Sequence, residues 1–173
     1  MNDIYLISII GFAFLIGSWL FVYDIKHYKL PNIGVLALGL LAIAFNYLND
    51  FRMISAQNML IGALVGSIFL LIIRAIANKY YKQETMGFGD VKLLFSLGLW
   101  VGYPDILITL SLGAFLSALI GYGIISFTKK SKKETSQVMH KIPAGPGFII
   151  GMMIVFAQKY ISLFENFILT LTP

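Results

Sequence analysis

The chain has 173 residues, of which 58% are hydrophobic and 12% charged, with a mean hydropathy of +0.84 and a formal net charge of +5. So large an apolar share and so small a charged one exclude an ordinary soluble domain and predict one compact membrane domain over residues 1–173. Cysteine is absent, which excludes disulfides, thiolate zinc sites, iron–sulfur clusters and cysteine nucleophiles.

Apolar runs at 4–23, 33–48, 58–77, 91–103, 106–127 and 147–164 predict six helices. Lipid offers no partner to backbone polar groups, so a crossing segment must satisfy them within a helix or a closed barrel. The runs are continuous rather than alternating, which points away from a barrel and to an all-α polytopic membrane protein. The first run follows Asp3 rather than a basic residue, is too long for a signal peptide and lacks a small-residue cleavage site, so it reads as a retained helix. Pro31 and Asn32 read as the turn that starts the second helix. Gly62 with Gly66, Gly98 with Gly102, and Gly113 with Ser117 and Gly121 place small residues four apart, a spacing that suits close helix packing.

The fourth run is short: its thirteen residues rise about 20 Å, against a hydrocarbon core of about 30 Å. It either makes a re-entrant arm or recruits residues before 91, drawing Asp90 to the bilayer boundary. Basic residues decide for a crossing. With six spans, eleven of the thirteen share one side: Lys26 and Lys29, then Arg74, Lys79, Lys82 and Lys92, then Lys129, Lys130, Lys132, Lys133 and Lys141. A re-entrant fourth run would divide them seven against six, which the positive-inside rule disfavours. The N-terminus is thus expected outside, and the loops at 24–32, 78–90 and 128–146 in the cytoplasm. The positive charge serves orientation and anionic headgroups in this reading, and no nucleic-acid partner is expected.

Three acidic residues fall near cytoplasmic helix ends: Asp24, Glu84 and Asp90. Two carboxylates from separate helices at one membrane level can form a dyad that shares a proton and titrates as a unit. Such a pair suits peptide hydrolysis, because its ionised member takes a proton from water while its neutral member polarises the carbonyl. Neither a metal nor another cofactor is required, and none is expected. Local readings compete: Asp90 as a helix N-cap, and Asp24 as an interfacial residue paired with Lys26 or a nearby lysine. Gly87 and Gly89, flanking Phe88, are expected to allow unusual backbone angles and the close approach of an extended substrate. His27 and His140 lie in polar loops and read as solvated, while Arg74 and Lys92 read as snorkelling side chains.

In combination, DIKHYKLPN (24–32), GFGDVKLL (87–94) and KIPAGPGFIIG (141–151) resemble, in order, the motifs of the type IV prepilin peptidases, membrane aspartic proteases of the GxGD type. The resemblance spans nearly the whole chain. It implies Asp24 and Asp90 as the catalytic pair, and an active-site or substrate-binding loop of Gly87, Phe88, Gly89 and Lys92 with Pro31 and Asn32. The implied reaction is removal of a short basic leader from prepilin or pilin-like precursors at the cytoplasmic face of the cell membrane. The first helix begins at residue 4, which suggests a peptidase-only form without methyltransferase activity, similar to the short enzymes of tight-adherence pilus systems or archaeal preflagellin processing. Two other readings are a small transporter, for which intramembrane acids are common, and a noncatalytic subunit of a pilus or secretion machine. Against the transporter, no predicted helix carries a charge at its centre.

Overall fold

Helix boundaries follow the apolar runs closely but extend past most of them. In the computed structural model they are α1 (Asn2–His27), α2 (Asn32–Leu48), α3 (Ala56–Tyr81), α4 (Phe88–Val101), α5 (Asp105–Lys129) and α6 (Gly145–Leu171). The structure describes residues 2–82, 84, 86–129 and 143–171, with side chains over 4–82, 84, 86–123 and 143–161. The basic stretch at 130–141, with Glu134 and His140, and Ile142 of the third motif lie outside the described residues. Three segments, Ile4–His27, Ala56–Tyr81 and Asp105–Gly123, are long and apolar enough to cross a bilayer.

The short α4 forms the centre of the bundle and packs against α2, α3, α5 and α6. Leu93, Leu94, Leu97 and Val101 are fully enclosed. Three side-chain hydrogen bonds lock α4 to α2: Ser96 Oγ donates to Val35 O at 2.9 Å, Trp100 Nε1 to Leu38 O at 2.9 Å, and Asn46 Nδ2 to Leu99 O at 3.3 Å. The expected recruitment of residues before 91 occurs, since Phe88, Gly89 and Asp90 are helical. At the other end, however, Gly102 adopts a φ of 72° and stops the helix before Tyr103. Only glycine takes that angle without a steric penalty. A helix enclosed by protein has its polar ends shielded from lipid, so its modest length is tolerated.

Small residues set the approach of α3 to α4. A methyl group on Gly98 would fall 2.5 Å from Ala63 Cα, and one on Gly62 would fall 2.6 Å from the carbonyl carbon of Gly102. Gly113, Ser117, Gly147 and Gly151 do the same between α5 and α6. Of the expected packing residues, Gly66 meets a side chain instead, with Ile106 Cγ1 2.8 Å from a methyl built there. The end of the bundle away from the motifs is closed by Lys159 of α6, which pairs with Asp105 and donates to Val101 O at 3.2 Å.

Candidate active site

α1 ends because Tyr28 turns into the left-handed region, with a φ of 52° and its N–H donating to Asp24 O at 2.8 Å. Pro31, which lacks an N–H, then prevents the helix from resuming before α2. Asp24 thus occupies the last turn of α1, yet it is only 4% exposed. The expected pairing with Lys26 gives way to a backbone partner: Gly145 N–H, at the first residue of α6, donates to Asp24 Oδ2 at 3.1 Å. A methyl group there would fall 2.8 Å from the same oxygen, so any side chain would displace the carboxylate.

Asp90 differs from expectation in a second way. The N-cap of α4 is Gly87, so Asp90 is the third helical residue rather than the cap. Its carboxylate reaches back to the Gly87 N–H, the arrangement of an acidic residue in the first turn that satisfies an orphan donor at the cap. Asp90 is 9% exposed and close enough to Asp24 to feel its charge. The two carboxylates, from α1 and α4, line one cavity of about 800 Å³.

Gly87, Phe88, Gly89, Lys92 and Asn32 also line this cavity, with Glu84 at its rim. Pro31 is the N-cap of α2 and stands outside the lining. Neither glycine uses a forbidden backbone angle: Gly87 has φ −68° and ψ 145°, and Gly89 is helical. What Gly89 provides is room for Leu30, whose Cβ lies 3.1 Å from where a methyl would stand. Leu30 also comes within 3.4 Å of a methyl built on Gly145, so this side chain of the first motif lies close to glycines of the other two.

Lys92 and Arg74 both find partners within the protein. Lys92 Nζ donates to Asn32 Oδ1 at 3.1 Å and lies 5.3 Å from the centre of the Phe88 ring. Arg74, on α3, donates from Nε to Met86 O at 2.9 Å, pairs through Nη2 with Glu84 at 3.6 Å and places Cζ 5.5 Å from the Phe88 ring centre. His27 is exposed, as expected, its ring 4.4 Å from that of Tyr23.

Sequence reasoning gave Arg74 and Ser117 other roles, snorkelling and helix packing, and assigned no role of their own to Leu30 and Gly145. For Gly145 a signal existed, its position between Ala144 and Pro146 in the third motif; the contacts of the others carry no local mark.

The model of the type IV leader peptidase family matches residues 6–122. The chain belongs to that family. Among curated relatives, the prepilin leader peptidase/N-methyltransferase of Aeromonas hydrophila is 30% identical over 138 residues, 78% of this chain and 45% of the relative. The protein of the same name from Xanthomonas campestris pv. campestris is 32% identical over 133 residues, 77% of this chain and 44% of the relative. That from Vibrio cholerae is 27% identical over 148 residues, covering 86% and 54%. The chain therefore spans about half the length of the leader peptidase relatives it matches. No solved structure matches it. The family match contains both Asp24 and Asp90 and ends before α6, so the contact of Gly145 with Asp24 lies partly outside it.

Proposed function

We propose that this chain is an aspartic endopeptidase that removes the leader from prepilin or pilin-like precursors, with Asp24 and Asp90 as its catalytic dyad. One observation carries the reading: two carboxylates from separate helices, both nearly buried, line the same cavity. In the resting pair one carboxylate is ionised and the other carries the proton. A water between them loses a proton to the ionised member as its oxygen attacks the scissile carbonyl, while the protonated member hydrogen bonds to the carbonyl oxygen and then transfers its proton there. In the collapse of the tetrahedral intermediate one of its hydroxyls returns a proton to the now ionised member, the C–N bond breaks, and the amine leaves with the proton that the other member took from water.

The six helices cross the cell membrane with the N-terminus outside and the motifs toward the cytoplasm, so a precursor held by its own apolar helix presents its basic leader at this cavity. Support comes from the distribution of Lys and Arg among the loops. A reporter fused within 129–141 tests that orientation; a signal from outside the cell overturns it.

The function itself is tested by mixing membranes containing the protein with a pilin-type precursor and following leader release. Asp24→Asn and Asp90→Asn keep size and remove the ionisable group. Cleavage by either variant at the parent rate sinks the dyad.

A further inference from the structure

The two acids share a second-layer arrangement. Asp90 is held by the N–H of Gly87, and the carbonyl of that same peptide unit is Met86 O, which accepts from Arg74 Nε at 2.9 Å. Asp24 is held by the N–H of Gly145, and the carbonyl of that peptide unit is Ala144 O, which lies 2.8 Å from Ser117 Oγ. Each carboxylate is therefore gripped by a single peptide group whose far side is held by a side chain from a helix carrying neither acid, α3 for Asp90 and α5 for Asp24.

The two grips are unequal. Ser117 has one hydroxyl hydrogen to divide between Ala144 O and Gly113 O, which lies 2.7 Å away. Arg74 brings a permanent charge and a planar fork, and engages the connection between α3 and α4 at Glu84 and Met86 and the start of α4 at Phe88. Its ion pair with Glu84, whose side chain is 82% exposed, contributes little in water. The bond to Met86 is the one that matters, because it fixes the peptide plane whose N–H points at the Asp90 carboxylate. A donor on the carbonyl also polarises the peptide and strengthens its N–H as a donor.

We infer that Arg74 is a positioning residue for the proteolytic reaction, acting through the Met86–Gly87 peptide to aim and hold the Asp90 carboxylate. It touches no substrate atom. The inference rests on the dyad reading above, and its test keeps the two separable. Kinetics of precursor cleavage are compared for the parent protein, Arg74→Ala, Arg74→Lys and Ser117→Ala, with Asp90→Asn as the reference for loss of the dyad.

The expected result for Arg74→Ala is a kcat lower by roughly 10- to 100-fold at parental KM, the size of effect that a misaimed catalytic group produces. Arg74→Lys, which keeps a donor and a charge, restores kcat to within about threefold of the parent, and Ser117→Ala loses less than Arg74→Ala. A raised KM with parental kcat in Arg74→Ala overturns the inference in favour of a substrate contact. Parental kinetics in Arg74→Ala overturn it outright. If Arg74→Ala fails to fold, Arg74→Lys together with Arg74→Gln decides: the inference requires kcat to fall in the order parent, Lys, Gln with KM constant, and equal kcat in the two variants overturns it. If Asp90→Asn cleaves at the parent rate, the dyad reading fails whatever Arg74 does.

Discussion

The N–H of Gly145 donates to Asp24 Oδ2 at 3.1 Å, tying the first residue of α6 to the last turn of α1 across 121 positions of sequence. The contact leaves no space for a side chain, since a methyl group on Gly145 would fall 2.8 Å from that oxygen. Gly145→Ala should therefore turn the carboxylate away from the cavity. Leader cleavage is expected to fall by roughly 10- to 100-fold with the protein still folded. The check is cleavage kinetics beside a melting curve in detergent; an alanine variant as active as the parent would remove this contact from the account of the site.

A dyad that works with one proton should show a two-sided pH dependence. At low pH both Asp24 and Asp90 are protonated and no base remains to accept the proton of water. At high pH both are ionised and no acid remains for the carbonyl. The kcat profile is expected to be bell-shaped, its two limbs belonging to the pair rather than to either residue. Asp24→Asn and Asp90→Asn should each lower kcat by about 10²- to 10⁴-fold across the whole range, as loss of a general acid or base does. A profile with one limb only would argue against a shared proton.

Gly87 and Gly89 should respond differently to the same methyl. At Gly89 it meets Leu30 Cβ at 3.1 Å, whereas at Gly87 its nearest neighbour is Asp90 Oδ2 at 3.6 Å, an ordinary contact. Gly89→Ala is expected to lower both stability and cleavage, and Gly87→Ala to do less on each measure. Leu30→Gly, which removes that Cβ, combined with Gly89→Ala should recover part of the loss caused by the contact, which a double-mutant cycle on melting temperature would reveal. Strict additivity would mean that the two residues do not press on each other.

At the interface of α3 with α4 the neighbours are backbone and cannot rotate aside. A methyl at Gly98 meets Ala63 Cα at 2.5 Å and Gly62 O at 2.5 Å. Gly98→Ala should destabilise the bundle by about 1–3 kcal/mol, the usual cost of overpacking. Thermal unfolding in detergent reads it directly, and an unchanged melting temperature would show that α3 can slide. Cleavage should fall as well, because α3 carries Arg74 and α4 carries Asp90.

Much of this chain was legible in its residues. Each of the six apolar runs forms a helix among the described residues because backbone groups in a greasy segment have no cheaper partner than their own helix, and that holds run by run without reference to neighbours. The two acids stood out because charge beside an apolar run is costly wherever it occurs, and the glycine pairs at 62, 98 and 113 announced close packing for a similarly local reason. Other features depended on which helices meet. No spacing could say that Gly89 makes room for Leu30, that Gly87 rather than Asp90 caps α4, or that Arg74 donates to Met86 O. Nor could it say that Gly145 supplies the N–H for Asp24. Hydropathy acts on each segment separately, so the sequence by itself determined the helices and the two acids. A hydrogen bond over 121 positions exists only once α1, α5 and α6 have packed, so the orientation of those acids was decided by the tertiary structure alone.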